Sequence, residues 1–127
     1  MLKNTRAFSG FSVNDIEAAK KFYQDVLGLE VEQDTRGISL KLAGGNNIFL
    51  YPKPDHVPAT YTTLNFMVDN VDQTVDDLTA QGVVFEKYEG THQDEKSIAR
   101  GVAVKMGPDI AWFKDPAGNI LSVLQEK

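Results

Sequence analysis

Phe8-Ser9-Gly10-Phe11-Ser12-Val13-Asn14-Asp15-Ile16 and Thr63-Leu64-Asn65-Phe66-Met67-Val68-Asp69-Asn70-Val71 are one pattern written twice, at an offset of 55. In the first copy Ser9, Phe11 and Val13 alternate with Phe8, Gly10 and Ser12, the two-residue period of a strand. Asn14 and Asp15 end it. Both residue types cap helices by accepting backbone N–H groups, and Asn14 with Glu17 has the spacing of a capping box. Ile16, Ala19, Phe22, Tyr23 and Val26 form an apolar helical stripe running to about Leu27, and Gly28 is a natural residue to stop it. In the second copy Asn70 and Gln73 repeat the box, Val71, Val75 and Leu78 repeat the stripe, and Gly82 repeats the stop.

Working outward, Leu29-Glu30-Val31 and Val83-Val84-Phe85 each begin a second strand. Each half then closes with a hairpin. Ile38 to Leu42 and Ile48 to Tyr51 flank Ala43-Gly44-Gly45-Asn46-Asn47, and Ile110 to Lys114 and Ile120 to Leu124 flank Asp115-Pro116-Ala117-Gly118-Asn119. The expectation is an α+β fold of two βαβββ repeats in one domain. The first unit spans about 5–52, a proline-stiffened linker about 53–59, and the second unit about 60–126. An insertion at roughly 87–109, too polar for core, precedes the second hairpin. It either covers a site, presenting Asp94, Glu95, Lys96 or Arg100, or is a solvated charged loop.

The chain has 127 residues, 42% hydrophobic and 24% charged, which is ordinary globular composition. Thirteen basic against 18 acidic residues give a net charge of -5, so nucleic acid and anionic membrane are poor partners and cationic ligands are weakly favoured. The absence of cysteine removes disulfides, thiolate metal sites and a cysteine nucleophile. The N-terminal residues do not form a signal-peptide core, and no apolar run is long enough to span a bilayer. A cytoplasmic protein is expected. No phosphate-binding loop and no nucleophile elbow occur, and no cofactor is expected.

The stretch Phe11 to Leu29, with its Val13-Asn-Asp-Ile16 and Phe22-Tyr23 elements, resembles the opening motif of the vicinal oxygen chelate superfamily. Trp112 to Gln125, with Asp115-Pro-Ala-Gly-Asn119, resembles its closing hairpin. That superfamily contains glyoxalase I, extradiol dioxygenases and bleomycin-resistance proteins. The resemblance implies two βαβββ units forming a curved, incomplete β-barrel with helices outside and a site on the concave side, commonly in a homodimer. It also implies four metal-ligand positions, which fall here on Phe8, Phe49, Thr63 and Ser122. A phenyl ring has no donor atom and a neutral hydroxyl is a weak ligand, so metal-based mechanisms of the family are placed in doubt and no metal site is expected. A relocated site on His56 and His92 with Asp94 or Glu95 would rest on loops.

On the strand parity implied, Phe8, Phe49, Tyr51 and Trp112 face the cavity, while Thr63, Asn65 and Ser122 could orient a ligand by hydrogen bonds. Together with Arg100 these are the candidate ligand-binding residues; no catalytic residue is assigned. The aromatics either line a pocket or plug the barrel. The leading expectation is a metal-free protein that binds a small organic molecule. The alternatives are a glyoxalase-like lyase, isomerase or dioxygenase-like enzyme with relocated catalytic groups, and a regulatory subunit with a filled interior.

Overall fold

Asp15, one residue beyond the Asn14 expected from the capping-box spacing, starts the first helix: its Oδ1 accepts the N–H groups of Glu17 and Ala18, both at 3.1 Å. Adjacent Asn and Asp are equally able to cap, so spacing alone cannot choose between them. The computed structural model describes residues 1–127. The chain divides into two units, residues 1–57 and 58–127.

In the first unit β1 (Ser9–Val13) leads through Asp15 into α1 (Ile16–Lys21), whose last turn widens over Phe22–Val26, where Leu27 N–H donates to Phe22 O five residues back. Gly28, at φ +72°, ends the helix as expected. The chain continues as β2 (Glu30–Gln33), β3 (Ile38–Lys41) and β4 (Asn47–Pro52). The sheet order is β1-β4-β3-β2, with β1 parallel to β4 and the other pairs antiparallel. Val13, Ala19, Tyr23, Ile38, Leu40 and Leu50 are buried and form the helix-side core. Truncating one of the larger of these to alanine costs about 2–5 kcal/mol. Gly37 is required between β2 and β3, because a Cβ there would lie 2.1 Å from Leu50 O.

The second unit repeats the connectivity: β5 (Thr62–Met67), α2 (Val71–Ala80), β6 (Ala99–Arg100), β7 (Asp109–Lys114) and β8 (Ile120–Gln125), in the order β5-β8-β7-β6 with β5 parallel to β8. Asn70 caps α2 by accepting the N–H of Gln73 at 3.0 Å, as its spacing predicts. Val71, Val75, Phe113, Leu121 and Val123 are buried on the helix side. The Asp115–Asn119 turn is tied by the Asp115 carboxylate. Its Oδ1 accepts the N–H groups of Ala117 and Asn119, its Oδ2 accepts the Asn119 side-chain amide at 3.0 Å, and both residues are buried.

Two expectations fail here. Val83-Val84-Phe85 does not form the edge strand. The segment's one backbone hydrogen bond to β7 is from Glu86 N–H to Trp112 O at 2.8 Å, and the strand paired with β7 is Ala99–Arg100 from the insertion. Nor is the insertion wholly outside the core, since Ile98 is fully buried. The segment folds back because Gln93 uses its whole amide. It accepts from Tyr88 N–H and Thr91 Oγ1, and donates to Glu86 O and Ser97 O. A side chain that saturates all its hydrogen bonds holds irregular backbone without burying unpaired polar atoms. No helix is long and apolar enough to cross a membrane.

Candidate functional site

In the first unit the register places Gly10 and Ser39 on either side of Phe49, and Ser12 beside Tyr51. Since Val13, Ile38, Leu40 and Leu50 are buried on one face, strand alternation turns Phe49, Tyr51, Ser39 and Ser12 to the other. Phe8 meets Phe49 edge-on at 6.4 Å, and Phe49 and Tyr51 lie with ring centroids 6.2 Å apart and planes within 19°. Phe8 is 73% exposed and Tyr51 39%. Gly10 lets β1 approach: a Cβ on it would sit 2.7 Å from Phe49 O.

An open groove of about 620 Å³ runs along this face, lined among others by Arg6, Phe8, Arg36, Ser39, Asn46 and Phe49. Arg36 stands at the β2–β3 turn with its guanidinium carbon 5.6 Å from the Phe49 ring centre. The turn is set by Asp34, whose Oδ1 accepts the N–H groups of Arg36 and Gly37 and whose Oδ2 receives one Arg36 Nη2 at 3.1 Å. Those bonds, the Arg36 backbone N–H foremost, hold the Asp34 carboxyl below the usual carboxylate range. At the far end of the face Ser12 Oγ lies 2.6 Å from His56 Nδ1, and Lys53 N–H donates to Val13 O.

In the second unit Asn65, Ser122 and Trp112 lie side by side across β5, β8 and β7. The Ser122 hydroxyl donates to Asn65 Oδ1. Tyr88 packs edge-on against Trp112 at 5.6 Å; its phenol oxygen is buried and finds no hydrogen-bond partner. Burial, seconded by the Glu86 carboxylate, pushes the Tyr88 pKa up, so the phenol stays protonated at neutral pH. Thr63 occupies a bulge in β5, where its hydroxyl donates to Ile120 O at 3.1 Å.

Arg100 is bound up elsewhere. Its guanidinium donates to both Asp72 oxygens, at 2.7 and 2.9 Å, and to Asp94 at 2.9 Å, clamping the insertion to α2. The Arg100 guanidinium, opposed by burial, holds Asp72 down at about 2. Lys96 adds ion pairs to Asp76 and Asp72.

The expected site residues therefore form two clusters, with two residues outside them. Phe8, Phe49 and Tyr51 cluster in the first unit, and Asn65, Trp112 and Ser122 in the second. Thr63 is bonded to its own sheet, and Arg100 sits among the carboxylates of α2 and the insertion. Arg36, Asn46, Tyr88 and the Ser12–His56 contact were missed. Strand parity cannot reach Arg36 and Asn46 in turns or Tyr88 and His56 in loops, although the Asp34-x-x-Gly37 turn signature does put Arg36 at a hairpin tip.

A family model of the glyoxalase/bleomycin resistance protein/dioxygenase superfamily matches residues 9–123. The chain belongs to that superfamily. Solved structures share the fold. A glyoxalase family protein from Enterococcus faecalis is 20% identical with a TM-score of 0.68, covering 98% of this chain and 99% of its own. The antibiotic-binding protein TnmS3 from a Streptomyces species is 22% identical with a TM-score of 0.64, covering 98% of each chain. The fosfomycin resistance protein FosX from Listeria monocytogenes is 16% identical with a TM-score of 0.68, covering 98% and 94%. No curated protein matches the chain.

The residues at the four positions where the family resemblance implies metal ligands, Phe8, Phe49, Thr63 and Ser122, do not fit a divalent ion. Phe8 and Phe49 pack ring against ring and have no donor atom, while Thr63 and Ser122 offer only neutral hydroxyls, weak ligands beside His or Glu. No three His, Asp or Glu side chains anywhere in the chain are grouped as metal ligands would be.

Proposed function

We propose that this member of the superfamily is a small-molecule-binding protein that works without a metal, and that its ligand seats on the aromatic face of the first unit. The observation that carries the reading is the Phe8–Phe49 contact, which puts apolar surface where a chelating member would place donor atoms. Phe8 and Phe49 supply the apolar part of a groove of small-ligand size, about 620 Å³, with Tyr51 beside Phe49 on the same face, and Ser39 and Asn46 supply polar edges. The fold shared with an antibiotic-binding protein is consistent with this reading.

The test is thermal unfolding of metal-analysed protein against a panel of flat aromatic compounds and antibiotics. A ligand at about 100 times its Kd adds about 2.7 kcal/mol of stability. Phe49→Ala should abolish the shift. A stoichiometric divalent ion in the native protein, or a panel without any shift, overturns the proposal.

One contact favours a second reading. Ser12 Oγ and His56 Nδ1, 2.6 Å apart beside Tyr51, form an oriented hydroxyl–imidazole pair able to move a proton at a bound ligand. On this reading the protein is a metal-independent isomerase or lyase. Turnover of a carbonyl substrate that His56→Ala lowers by roughly a hundredfold would establish it; equal rates in the two proteins would remove it.

A further inference from the structure

The groove of the first unit carries a charge opposite to that of the whole chain. The chain is at -5, yet the groove is lined by two guanidinium side chains, Arg6 and Arg36, and by no carboxylate. We infer that the ligand of this face is a flat aromatic anion, its ring system against Phe8, Phe49 and Tyr51 and its acidic group toward Arg36 and Arg6. The inference rests on the proposal above that this face binds a small molecule, and it names the class.

Asp34 offsets part of the Arg36 charge but leaves most of its donors open. Its Oδ1 is committed to the backbone N–H groups of Arg36 and Gly37, and its Oδ2 takes a single Nη2 bond. A guanidinium has five N–H donors, so most of them stay available. The Arg36 side chain is 77% exposed, and a surface pair of this kind is little hindrance to a second partner. Its position 5.6 Å from the Phe49 ring centre puts a bidentate carboxylate binder beside a stacking surface, the two halves of an aromatic acid. The near-parallel Phe49 and Tyr51 rings suit a flat ligand.

The net charge argues the other way only at long range. Salt screens charges beyond roughly 10 Å at ordinary ionic strength, so distant carboxylates count for little, and Arg6 and Arg36 against the one neighbouring carboxylate, Asp34, leave the groove net positive. A cationic ligand would meet both guanidinium groups at close quarters.

The test is calorimetric titration of the whole protein with three probes of one shape: 2-naphthoate, 2-naphthalenemethanol and 2-naphthylmethylammonium. The naphthoate should bind roughly tenfold tighter than the alcohol, and the ammonium weakest. Arg36→Gln, an exposed substitution, should cost the naphthoate roughly tenfold while leaving the alcohol within about twofold. Equal or tighter binding of the alcohol or the ammonium, or no effect of Arg36→Gln, overturns the anion assignment. If alcohol binding is then lost in Phe49→Ala, small-molecule binding on the face still stands. Silence from all three probes overturns the assignment, and silence from the wider panel as well overturns the reading beneath it.

Discussion

The hairpin that closes the first unit is shaped by glycine, and the hairpin that closes the second by a buried carboxylate. Gly44 and Gly45 turn at φ +95° and +84°, with the Gly45 N–H donating to Leu42 O, and Gly45 and Asn46 line the groove. In the second unit Asp115 and Asn119 are 4% and 2% exposed and bind each other and the turn backbone. The edges differ in the same sense. The first sheet ends in the regular strand β2, whose exposed Glu32 pairs with the half-buried Lys41 of β3, and the second ends in an insertion clamped to a helix. One topology thus has a turn left open to solvent and a turn fixed as scaffold. The βαβββ plan constrains the helix-side core, while the turns and the opposite face are where the copies have diverged.

Asp115→Ala tests the contrast hardest. It removes the acceptor of two backbone N–H groups and of the Asn119 amide in a buried turn, and should cost about 3 kcal/mol in urea unfolding. Asn46→Ala, on the exposed turn of the first unit, should stay within about 0.5 kcal/mol. Comparable losses in the two variants would mean that the turns are not different in kind.

A smaller effect should mark the edges. The Asp72 carboxyl ionises at about 2 in the folded chain against 3.8 for the free group. A lowered carboxylate pKa stabilises the fold above the unfolded value and loses that contribution as pH falls toward the folded one. The Arg100–Asp72 clamp is therefore at full strength above about pH 4 and disappears between about pH 4 and 2. With Asp72 nearly half exposed, screening leaves on the order of 1 kcal/mol. Asp72→Asn should be less stable than the parent by that amount at pH 6, and the gap should close by pH 2. A gap that does not change with pH would assign the clamp to packing and not to charge.

The helix-side core was legible because Val13, Leu40, Leu50 and their counterparts obey strand alternation, and Asn70, Gly28 and Gly82 have local geometric duties that a sequence states directly. Phe8 and Phe49 could be placed on a common face by the same parity. The edge strand Ala99–Arg100 was not legible. It is two residues long, and it pairs because Gln93 and Asp94 fold the insertion back on itself, a set of contacts that periodicity does not encode. Val83-Val84-Phe85 reads as a better strand, yet only Glu86 next to it donates to β7. Arg100 was drawn toward the candidate site by its place in an insertion that could cover it, whereas three carboxylates, Asp72, Asp94 and Asp109, lie within ion-pair distance of it.

In each sheet the opening strand has one neighbour, and that neighbour is the strand made last: β1 waits for β4, and β5 for β8. On the ribosome, therefore, residues 9–13 have no backbone partner in their sheet until Asn47–Pro52 have been synthesised, and 62–67 none until the closing hairpin arrives. Each half is sealed by a long-range parallel pairing that pays its loop-closure entropy in one step. Neither sheet can therefore be completed during translation before its own final strand has left the ribosome.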